Sequence, residues 1–176
     1  MKVRFVGREY KWEERREDLF SLGATHSASR VIDFLALNLG LETFEADAVD
    51  AYFQAPEHEE VVVEPAQEYL ERLAKAGRET DIVWRLRRRL PGRRAAGQCW
   101  VEHVAGILVN KLGFARCVTA PQFYWSSERM VALDLHMDDI HGAATPSGRE
   151  KFIKDLALEI NFKGGDRCEI GGRTNI

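Results

Sequence analysis

The sequence predicts an α+β domain, an antiparallel sheet with helices packed on one face. Helical stretches of period 3.6 alternate with short apolar strands. Several of those strands return by hairpin-length turns, as 122–125, 130–136 and 140–143 do, and reversal by tight turns is what antiparallel pairing allows. No repeat, low-complexity tract or linker interrupts the 176 residues, which suits a single unit built around one core.

The elements follow in order. Residues 1–10 read as a strand with Val3, Phe5 and Tyr10 apolar between Lys2, Arg4 and Arg8. Ser27 or Ser29 can cap a helix that runs to Asn38, buries Val31, Ile32, Leu35 and Leu39, and stops at Gly40. Thr43 to Asp47 is a strand, and 48–53 a single helical turn. Val61-Val62-Val63 marks a strand over 59–64, bounded by Pro56 and Pro65. A polar amphipathic helix over 66–77 ends at Gly77, and 82–86 is a strand leading into an arginine-rich segment. From Ala95 or Gly97 a long helix reaches Leu112, burying Trp100, Val104, Ile107 and Leu108. Ser147-Gly148-Arg149-Glu150 matches a capping box and opens a helix to Ile160, with Phe152, Ile153, Leu156 and Ile160 inward. A last strand begins near Gly164.

Composition narrows the function classes. Hydrophobic residues at 45% and charged residues at 30% are those of a soluble globular protein. A net charge of -3 gives no global attraction to nucleic acid, so any such contact must be local. Three scattered cysteines without CxxC spacing point to a reducing compartment, away from a disulfide or zinc framework. The start is too short and charged for a signal peptide, and no apolar run approaches a membrane span. An intracellular, soluble protein is expected.

Two acidic clusters sit in strand-like runs about ninety residues apart. Asp47 closes the run Phe44-Glu45-Ala46, and Asp138-Asp139 stands at a hairpin tip between Leu133–His136 and Ile140. Carboxylates brought together in this way can hold two divalent cations about 4 Å apart, which clamp an in-line phosphoryl displacement. Mg²⁺ suits such a site because it binds through few carboxylates and keeps positions for phosphate oxygens. Turn chemistry and helix capping are the structural alternatives for the same residues. Arg85, Arg87, Arg88, Arg89, Arg93 and Arg94 form a basic run before a helix start, which fits phosphate binding or a solvated charged face. The histidines show no metal-ligand spacing, and there is neither a GxxxxGK[ST] loop nor a GxSxG elbow.

In order and spacing these segments resemble the reverse transcriptase domain of copia-type LTR retrotransposons over nearly the whole chain. Residues 2–6 are similar to that family's basic fingers strand. Glu45-Ala46-Asp47-Ala48-Val49-Asp50-Ala51-Tyr52-Phe53-Gln54 resembles its motif A, an Asp with Ala-Tyr at the fourth and fifth positions after it. Glu59–Pro65 is similar to the strand that follows. Leu86–Trp100 resembles motif B, and His136-Met137-Asp138-Asp139 takes the place of the Tyr-x-Asp-Asp box. Departures are His136 for Tyr in the box, and Pro91, Ala95 and Gly97 for the Tyr, Gln and Pro of motif B.

The resemblance implies a reverse-transcriptase-like fingers–palm fragment without a thumb, with 1–40 and 59–95 fingers-like and 41–58 and 96–165 palm-like. It implies RNA-directed DNA polymerase activity by two-metal nucleotidyl transfer, in a truncated or degenerate copy that is weak or inactive alone. Asp47 and Asp138 would bridge two Mg²⁺ ions, with Mn²⁺ a possible substitute and Asp139 a third carboxylate. Tyr52 would lie under the sugar of the incoming dNTP, Arg4 and Lys2 would meet its triphosphate, and Gly92 and Arg94 would line the template side. Arg87, Arg88, Arg89 and Arg93 would contact nucleic-acid phosphates. Partners would be an RNA or DNA template-primer and the rest of a Pol polyprotein (RNase H, integrase), in the cytoplasm as a virus-like particle or in the nucleus, with no membrane. The oligomeric state is left open. A non-catalytic nucleic-acid-binding remnant of the same fold is the alternative. A two-metal nuclease or phosphatase would need a further acid or histidine, for which Glu45 and His141 are the nearby candidates.

Overall fold

The structure, a computed structural model, describes residues 6–7 and 26–168. Six antiparallel strands form the main sheet in the order β4-β5-β6-β7-β1-β8. They are β1 (Glu42–Ala48), β4 (Ala115–Arg116), β5 (Phe123–Ser126), β6 (Val131–His136), β7 (Asp139–Ala144) and β8 (Phe162–Arg167). β2 (Val62–Val63) and β3 (Trp84–Arg85) pair separately as a two-stranded ribbon. Helices are α1 (His26–Leu39), α2 (Ala51–Gln54), α3 (Gln67–Lys75), α4 (Ala96–Gly106) with a π-helical continuation Ile107–Lys111, and α5 (Pro146–Leu156). Among the described residues, no helix is long and apolar enough to cross a membrane.

The strand alternation decides which residues enter the core. Phe44, Ala46 and Ala48 of β1 and Leu133 and Leu135 of β6 point to one face. There they meet Trp100, Val104 and Leu108 of the α4 segment and Phe152 and Leu156 of α5. The inward positions read from the helical period of these two helices are therefore the buried ones, although Ile153 is only half-buried.

The expectation of helices on one face is corrected by α1. Ile32 and Ala36 pack against Ala143, Ala132 and Phe123, which lie on the opposite face of the sheet. Two short alanines and an aromatic leave an apolar strip there that a helix can cover. The stripe assigned to α1 shifts with it: Val31 and Leu39 are exposed, while Ile32 and Ala36 are buried. The start of α5 moves as well. Thr145, not Ser147, is the N-cap, its hydroxyl accepting from Gly148 N at 3.2 Å, with Pro146 in the first turn where a missing N–H is harmless.

The strand read over residues 1–10 lies outside the described residues except for Val6 and Gly7. Gly7 N donates to Pro91 O at 2.7 Å. Gly92, at φ +90, lies so close that an added Cβ would come within 2.5 Å of Val6 Cγ1. Its glycine is thus required by backbone contact with this segment.

Candidate functional site

Antiparallel register brings the two acidic clusters together. Asp47 of β1 lies directly opposite Asp139 of β7. Direct partners have Cβ atoms about 5 Å apart and share a face. Ala48 N donates to Asp138 O at 2.8 Å, which fixes the hairpin tip against the end of β1. Trp100 Nε1 donates to Met137 O at 2.7 Å, so the tip also rests on α4. Gly97 leaves room for it, because a Cβ there would stand 3.0 Å from Met137 Cε. Met137 holds the left-handed φ of 54 that this short turn demands.

The register extends into two rows across the exposed face. One row is His136, Asp139, Asp47 and Lys163, on β6, β7, β1 and β8 in turn. The other, one pleat further along, is Asp134, His141 and Glu45. Both rows line an open cleft of about 620 Å³, which α1 borders with Ser29 and Asp33.

Burial, then Asp138 and Asp47, push the Asp139 carboxyl above its ordinary range, as crowded carboxylates must. Lys163 Nζ stands 3.5 Å from Asp47 Oδ2 and neutralises part of this charge. Tyr52 is half-buried against the core, and burial followed by Asp138 raises its phenol. Asp138 itself is at the exposed turn, while Asp47 and Asp139 are the members of the trio that line the cleft. Hard oxygen donors in this number suit Mg²⁺ or Mn²⁺, and the mutual repulsion is what a cation would relieve. Among the described residues, no group of three His, Cys, Asp or Glu side chains is arranged to hold a metal ion.

The arginine run is divided by its ion pairs. Arg89 is buried with its Nη1 2.9 Å from Glu57 Oε1, though the N–H is not directed at that oxygen. Arg93 pairs with Glu57 and, at 2.9 Å, with Glu59. The Glu57 side chain is completely buried, so these guanidiniums hold the segment to residues 55–59 from inside. Arg89 and Arg93, two of the residues read as phosphate contacts, thus lie beside carboxylates of the chain itself. Arg87 and Arg88 are exposed, Arg88 donating to Gln54 O at 2.6 Å, and Arg94 is half-buried. None of the arginines lines the cleft of Asp47 and Asp139. Arg4 and Lys2 lie outside the described residues.

Sequence reasoning missed Asp134, Lys163, Ser29 and Asp33. The strand residues carried a signal in the spacing of two between Asp134 and His136, Asp139 and His141, and Glu45 and Asp47. Nothing local announces Ser29 or Asp33, which reach the cleft through the docking of α1. Comparisons with protein-family models, curated proteins and solved structures find no match to this chain.

Proposed function

We propose that the chain is a nucleotidyltransferase of the reverse-transcriptase kind, acting on a template-primer and dNTP with Asp47 and Asp139 as principal cation ligands and Asp138 beside them. The observation that carries this reading is the Asp47–Asp139 register pair at a hairpin tip that also bears Asp138. The order of the motif-like segments supports it.

When bound, Mg²⁺ or Mn²⁺ would supply charge neutralisation and acidify the attacking hydroxyl. The chain's own residues would do the positioning. Trp100 and Ala48 hold the hairpin tip, and Tyr52 packs half-buried against the core with its phenol raised by burial and then by the Asp138 charge. Orientation supplies much of the rate of such enzymes, and a small misplacement can lower it about a hundredfold. With His136 and Pro91 standing where the family has tyrosines, slow turnover is expected.

A non-catalytic nucleic-acid-binding remnant is favoured by one observation. Lys163 already counters Asp47, which weakens its claim on a cation. Primer extension on a poly-rA template with Mg²⁺ or Mn²⁺ separates the two. Slow extension lost in Asp47→Asn and Asp139→Asn supports transfer. Cation-dependent binding without extension supports the remnant, and extension indifferent to both substitutions overturns the site.

A further inference from the structure

The cleft holds more acid than the nucleotide chemistry uses. Five carboxylates line it against one lysine and two histidines, so it stays negative even with both imidazoles charged. Three of the acids have a base beside them. Lys163 Nζ stands 3.5 Å from Asp47 Oδ2. His141 lies between Asp33 and Glu45, its Nε2 3.0 Å from Asp33 Oδ1 and its Nδ1 3.7 Å from Glu45 Oε1. A protonated ring there meets both carboxylates by itself.

Asp134 is the exception. It lines the cleft at 4% exposure, and its Oδ1 has no hydrogen-bond partner. Ser29 Oγ donates to Oδ2 at 3.4 Å, a long bond that leaves the other oxygen unserved. A buried acceptor without a donor is costly, more so when it is charged, and burial raises the Asp134 carboxyl accordingly. Asp134 belongs to no group of three His, Cys, Asp or Glu side chains arranged to hold a metal ion among the described residues. An N–H donor needs no such group, since each hydrogen meets a single acceptor.

A second anchor stands on the same hairpin. His141 is directly opposite Asp134, so Asp139, two residues before it, is the diagonal neighbour of Asp134 on the same face. Such diagonals have Cβ atoms roughly 7 Å apart. Asp138 and Asp47 press negative charge on Asp139, which an added positive charge relieves. Between the two rows the floor is the Ala46–Ile140 pair, whose side chains turn to the core. Two acids at that separation across an uncharged floor match a cation with two charged ends and an apolar middle. Each bond of an extended chain advances about 1.2 Å, so a four-carbon diamine sets its nitrogens roughly 6 Å apart.

We propose that the cleft binds a linear aliphatic diamine, one ammonium donating to Asp134 Oδ1 and the other to Asp139, with four carbons the preferred spacing. The site needs only these carboxylates and stands whether or not the chain transfers nucleotides. Asp139 is also a ligand in the proposed nucleotide site, so a diamine and a divalent cation would exclude each other there.

The test is calorimetric titration of the full chain, free of nucleic acid, dNTP and divalent cations, with 1,4-diaminobutane, 1-butylamine and the three- and eight-carbon diamines as probes. One 1,4-diaminobutane per chain, held about tenfold more tightly than butylamine and more tightly than either other diamine, is the expected result. Asp134→Asn keeps the shape of the side chain and should weaken that binding about 10–100-fold. Asp139→Asn should bring the diamine down to the affinity of butylamine, a loss of preference that a general weakening of the fold would not produce. No saturable binding, equal affinity for the diamine and butylamine in the parent, or unchanged affinity in a folded Asp134→Asn protein would overturn the site. Should Asp134→Asn fail to fold, the diamine preference of Asp139→Asn decides: its loss supports the site and its persistence overturns it.

Discussion

Replacing Gly142 with alanine tests the pairing on which the acidic cleft depends. Gly142 is the direct partner of Phe44 in β1, three positions from the Asp47–Asp139 pair. A Cβ at Gly142 would stand 2.5 Å from Phe44 Cε1 and 2.9 Å from Cε2, and nearer still to Cζ. Carbon atoms rest at about 3.5–4.0 Å, so the overlap is near 1 Å at several ring atoms. The ring cannot turn aside into solvent: Phe44 is wholly buried, with the Phe152 ring 5.8 Å away. Overpacking of this kind costs about 3 kcal/mol. Phe44→Leu alone should cost about 1–2 kcal/mol through reduced burial. In the double variant the smaller side chain makes room for the new methyl, so the costs should fall short of their sum by at least about 1 kcal/mol. Urea unfolding of the four proteins at constant m reads these values directly. A Gly142→Ala protein within about 0.5 kcal/mol of the parent, or simple additivity, would refute the close Phe44–Gly142 approach.

Other perturbations address charge. The folded Asp139 pKa is raised, so the native state holds its proton to higher pH than the unfolded chain does. Stability should therefore fall as pH climbs from the ordinary carboxylate pKa through the raised one, and Asp139→Asn should remove that fall in unfolding curves taken from pH 3 to 7. Arg89→Ala with Arg93→Ala removes both guanidiniums from the buried Glu57 carboxylate and should cost about 3–5 kcal/mol in chemical denaturation, far above a surface substitution. Arg87→Ala with Arg88→Ala should leave stability nearly unchanged. If these exposed arginines neutralise phosphates, the double substitution should flatten the salt dependence of nucleic-acid binding by about one unit of slope per phosphate; an unchanged slope denies them that role.

Much of the α+β architecture was legible in the sequence because it is written in local periodicity. The inward residues of α4, the β6–β7 hairpin and the acidic ends of β1 and β7 follow from spacing and turn chemistry. That the two acidic clusters meet was inferable only through their resemblance to a known order of motifs. Which carboxylates face each other was settled by register: Asp139, not Asp138, lies across from Asp47, since a shift of one residue exchanges strand faces. The arginine run shows the limit of reading charge along a chain. Exposed Arg88 and buried Arg89 are neighbours in sequence, and only the placement of Glu57 and Glu59 separates them. Likewise the Asp33–His141 pair joins residues 108 positions apart, so it exists only once α1 has found the apolar strip on the second face of the sheet.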